Sequence, residues 1–491
     1  MTLPPTRFDF TAAVPAVGEL GRVHLIAIGG AGMSAVARLM LAAGVAVSGS
    51  DARDSPLLSA LVQEGASVHV GHDAAVVEGV DTVVVSSAIR DSNVELAAAH
   101  AAGLRVLHRA QALAATMAGS RRVAVAGANG KTTTTSLLTM ALRADGSDPS
   151  FALGGELTAL RTNAHLGAGD VFVVEADESD GSFLAYRPHV AVVTSVQPDH
   201  LDFYGDLATV REAYAAFVET VSSDGLVVVC VDDPGARALG EHARTLGLRV
   251  VGYGESADAD LRVTDVHHDG LSSRATLSWD GTSYPLSLQV PGHHNVLNAA
   301  AAFGAAVIGV GEAAEAALAG LAAFAGTGRR FEPRGAAAGV TVVDDYAHNP
   351  GKLTAVVSTG RRLVDEAGSR GEPGRLVVVF QPHLYSRTRD FARELGAALA
   401  PADVVVVMDV YAAREDPVPG VSGRLVADAA TAGCTVHYEP QWERVAPLVV
   451  ALVEPGDLVL TVGAGDVTAI GPLVLEGLAG LVDPDQEETQ R

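Results

Sequence analysis

Val123-Ala124-Val125-Ala126-Gly127-Ala128-Asn129-Gly130-Lys131-Thr132-Thr133 reads as a buried strand, a glycine turn and the first residues of a helix. That order suits a phosphate. Glycines let backbone N–H groups come close to the anion, and a helix N-terminus adds partial positive charge. Lys131 can then reach β- and γ-phosphates, and the hydroxyl of Thr132 or Thr133 can ligate Mg²⁺. The full phosphate-loop pattern wants a glycine five residues before Gly130, where Val125 stands, so the loop is a shortened variant. Gly127, Ala128, Asn129, Gly130, Lys131, Thr132 and Thr133 are the candidate nucleotide-phosphate residues. Lysine occurs only at Lys131 and Lys352, which leaves two candidates for any step that requires one.

Outward from this loop, other apolar strands also end in polar residues. Val171–Glu175 runs into Ala176-Asp177-Glu178-Ser179-Asp180-Gly181. The C-terminal ends of strands are where open α/β sheets bind ligands, so Glu175 is the candidate metal-facing carboxylate. Val190–Ser195 runs into Val196-Gln197-Pro198-Asp199-His200-Leu201-Asp202, placing a histidine between two aspartates. An imidazole can complete the coordination of a hard ion, although oxygen ligands are more usual for Mg²⁺. Nearer the N-terminus, Ala27-Ile28-Gly29-Gly30-Ala31-Gly32-Met33-Ser34 approximates a dinucleotide-binding glycine turn, with Ala27 in the first glycine's place and Asp51 19 residues beyond Gly32. A nicotinamide cofactor, and with it an oxidoreductase, and a UDP-sugar both fit that geometry. Ser86 and Ser87, at the end of another strand, can add phosphate donors.

The alternation of strand and helix continues along the chain and predicts parallel, doubly wound sheets. The strands expected in the first unit are Val23–Ile28, Val45–Ser48 and Thr82–Ser86, with a helix over Met33–Ala43. A break near Ala118-Gly119-Ser120 opens a second unit, which also contains the strand Leu226–Val231. Residues 260–290 alternate with period two around Asp269-Gly270 and Asp280-Gly281, the pattern of β-hairpins, and are expected to form an antiparallel flap. After the joint Gly326-Thr327-Gly328, a third unit carries Val340–Asp344, Leu376–Phe380, Asp403–Met408 and Leu458–Val462. Asp365–Arg375 reads as a polar Gly/Pro loop. The tail from Asp483 holds four acids in nine residues and is expected to fray.

Composition narrows the function classes. The 491 residues suggest about three domains. With 48% hydrophobic and 19% charged residues, the chain is core-forming, not disordered. The net charge of −24 argues against general binding to nucleic acid or anionic membranes. Two cysteines, Cys230 and Cys434, make neither a disulfide framework nor a zinc cluster and fit a reducing compartment. The first twenty residues lack the apolar stretch of a signal peptide, and no apolar run approaches the roughly 20 residues of a membrane span, so the expected location is cytoplasmic.

Eight segments, ordered over residues 20–475, carry a resemblance. They are Gly29–Ser34, Gly130–Thr135, Glu175–Phe183, Pro198–Asp202, His294–Asn298, Gly328–Phe331, Asp344–Tyr346 and Phe380–His383. Together they resemble the Mur ligase family. The resemblance implies three α/β domains: a Rossmann-like UDP-sugar domain at 1–119, a central P-loop ATPase-type domain with the flap at 120–328, and a Rossmann-like ligase domain at 329–491. It implies an ATP-dependent ligase that joins L-alanine to the lactyl carboxylate of UDP-N-acetylmuramate through an acyl phosphate, with ATP and Mg²⁺ required. Another Mur-type ligase, adding a different amino acid or a peptide, is the related alternative.

Roles follow by motif. The implied catalytic residues are Lys131, Glu175, His200, Arg330 and Asp345, and the metal ligands are Thr132, Glu175 and His200. Asn295, Asn298, Arg330 and Asp345 join the phosphate loop at ATP, with Arg329 as a second arginine beside the γ-phosphate. Gly29, Gly30, Gly32, Met33, Ser34, Asp51, Ser86 and Ser87 fall to the UDP-sugar; Tyr346, His348 and Arg387 fall to the amino acid. The chain departs from the pattern of alanine-adding members at Ala128, Asn129, Asn349 and Leu384.

Overall fold

The structure, a computed structural model, describes residues 3–482 except Arg414, Thr431 and Ala432; the acidic tail from Asp483 lies outside the described residues. Two compact units are present. The first runs to His267 and includes Arg274–Gln289 and Asn295–Ala325; the second takes His268–Ser273, Val290–His294 and the chain from Gly326. Three α/β layers are distributed over them, two of the three sheets lying in the first unit.

The first sheet has five parallel strands: β1 (Val23–Ile26), β2 (Val47–Asp51), β3 (Ser67–Val70), β4 (Thr82–Val85) and β5 (Arg105–His108). Their order is β3-β2-β1-β4-β5, so the chain switches direction beside β1. Ligand crevices in open parallel sheets form at such switch points. The Gly29–Gly32 turn follows β1 and Ser86-Ser87 follows β4, on either side of the switch. The predicted strands are found with shifted ends.

The second sheet contains β6 (Arg121–Ala126), β7 (Ser150–Leu157), β8 (Thr162–His165), β9 (Val171–Glu175), β10 (Val190–Val193), β11 (Leu226–Cys230), β12 (Arg249–Gly254), β13 (Leu261–Asp269), β14 (Ser272–Trp279) and β15 (Thr282–Leu288). Its order is β15-β14-β13-β12-β11-β10-β6-β9-β7-β8. β6 lies between β9 and β10, all three parallel, with Val125 opposite Glu175 and Ala126 opposite Val193. The three strand ends carrying the phosphate loop, Glu175 and the Thr194–His200 segment are therefore neighbours. Two-residue links join β13 to β14 and β14 to β15, and such links permit only antiparallel pairing, as expected for the flap. The β7–β8 hairpin had no legible pattern: β7 contains Gly154-Gly155, and β8 is Thr-Asn-Ala-His.

The third sheet, in the second unit, consists of β16 (Glu332–Ala337), β17 (Val340–Asp345), β18 (Leu376–Phe380), β19 (Val404–Val407), β20 (Thr435–Tyr438) and β21 (Leu458–Val462), in the order β16-β17-β21-β18-β19-β20. Asp345 and Phe380 both register with Val462, so the residues following β17, β18 and β21 are neighbours. β16 is an antiparallel edge strand with an irregularity between Pro333 and Gly335, which hid it from pattern reading. The first part of the stretch expected as a loop, Asp365–Ser369, is corrected: it belongs to a helix that spans Pro350–Ser369. Arg361 bonds Asp365 at 2.9 Å and Arg362 bonds Glu366, both at i,i+4 spacing, which favours another turn of helix before Gly371 and Pro373.

A buried charge organises the first sheet. Glu95, on the helix Val94–Ala101, is fully buried and accepts from Ser50 Oγ (2.6 Å) and Asp73 N (3.2 Å). His24 Nε2 (3.3 Å) and His72 Nδ1 (3.1 Å) complete its shell. Burial alone would raise its pKa, but these hydrogen bonds bring it down to about 2. A carboxyl with a depressed folded-state pKa contributes stability above its unfolded pKa of 4.5 and loses it as pH falls towards 2. Glu95→Gln is expected to cost about 2 kcal/mol near neutrality and to flatten the acid limb of stability. Urea midpoints of both proteins across that pH range check this; parallel acid limbs would contradict it.

Candidate functional site

The candidate phosphate loop is shaped by two glycines. Gly127 has φ +135°, and a Cβ there would lie 2.0 Å from Thr194 Oγ1. Gly130 has φ +84°, and its Cβ would meet Asn298 Oδ1 at 2.4 Å. Both positions require glycine for space as well as conformation. The neighbouring β10 end holds the loop: Thr194 Oγ1 donates to Asn129 O (2.5 Å), Ser195 Oγ accepts from Asn129 N (3.1 Å), and Ser195 O accepts from Ala128 N (3.1 Å). Asn129 Nδ2 donates to Gln197 Oε1 at 3.0 Å, an anchor made by one of the departing residues. Asn298 bonds Asn295 at 3.2 Å on the helix His293–Phe303, so Asn298, one of the two expected ATP asparagines, lies beside Gly130.

Lys131 opens the helix Lys131–Arg143. Its Nζ donates to Gly127 O (2.8 Å) and to both oxygens of Glu178 (2.8 and 2.7 Å). Glu178 is only 2% exposed. Burial disfavours the ammonium charge, but Glu178, then Asp177 and Glu175, outweigh burial and raise the lysine pKa. Glu178 was one acid among several in the sequence; only the fold turns it to the lysine. Thr132 Oγ1 donates to Glu175 Oε1 at 2.9 Å, and Glu175 Oε2 accepts from Gly154 N at 2.7 Å. Thr133 is buried behind them.

The other acids after β9 are also assigned. Asp177 accepts from Arg109 at 2.7 Å; burial opposes its charge, but Arg109 and then Lys131 bring its pKa down to about 2. Asp180 accepts from Ser87 Oγ (2.5 Å) and lies 3.3 Å from His108 Nε2. Burial works against this carboxylate as well, and hydrogen bonding and charge from His108 lower its pKa. His200 begins the short helix Leu201–Tyr204 at φ +53°, its Nε2 3.9 Å from both Glu178 Oε1 and Asp199 Oδ1.

At the glycine turn, Ala27 takes φ +59° where the fingerprint has glycine. Gly29 N donates to Asp51 Oδ2 at 3.0 Å, so Asp51 holds the turn itself. Gly30 caps the helix Ala31–Ala42. Met33 and Ser34 are buried, and Ser34 Oγ donates to Ala31 O. A Cβ on Gly32 would lie 2.5 Å from Arg109 Nη1, so that guanidinium occupies the space the glycine leaves. Ser87 Oγ is engaged by Asp180 and His108, while Ser86 O accepts from Ile89 N.

In the second unit, Arg329 and Phe331 both have positive φ (57° and 47°). Arg329 Nε reaches Asp344 Oδ2 at 3.1 Å and Nη2 reaches Gly463 O at 2.6 Å, anchoring that arginine to β17 and β21. Asp345 accepts from Phe331 N and Ala347 N, both at 2.7 Å. Burial raises its pKa, partly offset by Arg330. Both arginines lie over the Tyr346 ring, at 4.9 and 5.1 Å. His348 packs on Tyr346 and His383, while Arg387 is buried in the helix Tyr385–Leu399 behind Leu384, which has φ +68°.

Three consecutive parts of the chain match known domains: residues 22–121 the Mur ligase family catalytic domain, 125–306 the Mur ligase middle domain, and 329–465 the Mur ligase glutamate ligase domain. A UDP-N-acetylmuramate–L-alanine ligase of Thermobifida fusca is 52% identical over 464 residues, covering 94% of this chain and 98% of its own. The chain belongs to the Mur ligase family. It is therefore a ligase with the three-domain α/β fold of that family. Another Mur ligase, the UDP-N-acetylmuramate–L-alanine ligase of Kineococcus radiotolerans, is 54% identical over 95% of this chain and 98% of its own. Among solved Mur ligase structures, the UDP-N-acetylmuramate–alanine ligase of Thermotoga maritima superposes with a TM-score of 0.76 at 27% identity, covering 96% of this chain and all of that one. Among the described residues, no helix is long and apolar enough to cross a membrane.

Proposed function

We propose that this Mur ligase joins L-alanine to the lactyl carboxylate of UDP-N-acetylmuramate at the expense of ATP, as a cytoplasmic step of peptidoglycan precursor synthesis and hence of cell-wall growth, shape and division. The observation that carries the reading is the grouping of Lys131, Thr132 and Glu175 at adjacent ends of β6 and β9. A carboxylate is too electron-rich for an amine to attack. Transfer of the γ-phosphoryl group of ATP to a carboxylate oxygen gives an acyl phosphate and ADP. The L-alanine amine, having lost a proton, attacks the acyl carbon; the amide forms and orthophosphate leaves. Positioning and charge neutralisation supply most of the rate.

Lys131 exchanges Glu178 for the β- and γ-phosphates, with backbone N–H groups of Gly127–Gly130 around them. Mg²⁺ fits the oxygen pair of Thr132 and Glu175, since it is held by one or two carboxylates together with substrate phosphates; it supplies charge neutralisation at the phosphoryl group. His200 is the third proposed ligand. Among the described residues no group of three or more His, Cys, Asp or Glu is arranged to hold a metal. Asn295 is the proposed adenine-side asparagine with Asn298 close by, and Arg330 and Asp345 are proposed nucleotide residues by the family resemblance. Gly29, Gly30, Gly32, Met33, Ser34, Asp51, Ser86 and Ser87 line the UDP-sugar site, and Tyr346, His348 and Arg387 the amino-acid site. The proposed domains are 1–119, 120–328 and 329–491.

The test is product formation. ADP and phosphate should be released only when UDP-N-acetylmuramate and L-alanine are both present, and hydroxylamine should trap the activated sugar acid as a hydroxamate. Equal ATP turnover without the sugar nucleotide would sink the reading. A panel with glycine and L-serine measures amino-acid breadth, since a single methyl or hydroxyl gives only modest discrimination.

A further inference from the structure

The carboxylates that follow β9 are sorted by target. Glu175 takes Thr132, Glu178 takes Lys131, Asp177 takes Arg109, and Asp180 takes Ser87 with His108. Glu178 bonds Lys131 directly, Glu175 bonds the adjacent Thr132, and Asp177 is the chain neighbour of Glu178, so all three carboxylates attract the ammonium. A lysine surrounded by three uncompensated carboxylates would be a poor phosphate ligand, because moving towards a triphosphate gains little over staying put. Arg109 changes that balance. Its guanidinium is seated against Gly32, bonds Asp177, and is also attracted by Asp180. It starts the helix Arg109–Thr116, directly after β5, so it reaches the second sheet from the first.

We propose that Arg109 is a positioning residue for Lys131: it neutralises Asp177 while Thr132 and Gly154 N hold Glu175, so that Glu178, the carboxylate bonded to Nζ, is the main one that Lys131 must exchange for a nucleotide phosphate. The inference deepens the proposed function and rests on Lys131 being the ATP lysine. Arg109 need not touch ATP. Its effect on the lysine is electrostatic, so it depends on the charge of Asp177 and not only on the contact between the two.

The experiment measures affinity of the full chain for a non-hydrolysable ATP analogue with Mg²⁺, without sugar nucleotide. Arg109→Ala is expected to weaken binding about tenfold, and Arg109→Ala with Asp177→Asn to return it to within about threefold of the parent. Arg109→Gln, neutral and nearly isosteric, gives the same reading should the alanine variant fail to fold. A purely structural role predicts the opposite, a double variant at least as impaired as the single. Unchanged affinity in the Arg109 variants, or no recovery in the double, overturns the proposal. Lys131→Ala is the control. If it binds the analogue normally, the nucleotide reading itself fails and takes the inference with it; if it binds poorly while Arg109→Ala binds normally, only the inference fails.

Discussion

Lys131→Ala is expected to lower kcat for the complete ligase reaction by about 10²–10³-fold, the usual cost of losing one preorganised charge at a developing anion. The same change should destabilise the protein. Glu178 is 2% exposed and both its oxygens bond Nζ, so removing the lysine strands a buried carboxylate. Breaking such a pair costs about 3–5 kcal/mol. The two effects separate in the double variant Lys131→Ala with Glu178→Gln. It should recover much of the lost stability, because the buried charge is gone, and none of the activity. Thermal melting and ADP release measured on the same samples decide it. If the double variant regains turnover, Lys131 serves the fold and not the phosphates.

Asp344→Ala should be the most damaging single change in the second unit. Asp344 is fully buried and accepts from Thr461 Oγ1 (2.8 Å), Thr468 Oγ1 (2.8 Å) and Arg329 Nε (3.1 Å). Its loss takes an acceptor from two hydroxyls and the charge partner from the Arg329 guanidinium, at an expected cost of about 3–5 kcal/mol. Arg329 also holds the chain at positive φ, accepts Tyr346 N with its carbonyl and stacks on the Tyr346 ring. The KM for L-alanine should therefore rise even in the fraction that stays folded, while Asp344→Asn, which keeps an acceptor oxygen, should be milder on both counts. Urea unfolding and amino-acid saturation curves test this. An unchanged KM with lowered stability would remove Tyr346 from the proposed amino-acid site.

The Asp344–Asp345 pair shows where reading the residues alone stops. The sequence marks both as acids at a strand end, and the family resemblance selects Asp345. The structure divides their work: Asp344 faces inward to Arg329, Thr461 and Thr468, and Asp345 caps Phe331 N and Ala347 N. Adjacent residues on a strand point to opposite faces, so the division follows once β17 has a register, and the register comes from β21, more than a hundred residues later. The hairpin β7–β8 was invisible for a related reason. Its polar, glycine-containing residues carry little pattern of their own, and it is held by Asn163 bonding Ala31 O and Arg38 bonding Asn163, across the first unit.

By itself the sequence determined the alternating α/β architecture, the antiparallel flap, the glycine turn between β6 and the helix Lys131–Arg143, and the strand ends where polar residues collect. These are local signals: buried parallel strands are continuous apolar runs, and turns need glycine at defined positions. Only the tertiary structure decided which carboxylate each cation takes: Glu178 for Lys131, Asp177 for Arg109 and Asp344 for Arg329. Charge pairing depends on distances of a few ångströms between residues remote in the chain, and strand order and register set those distances.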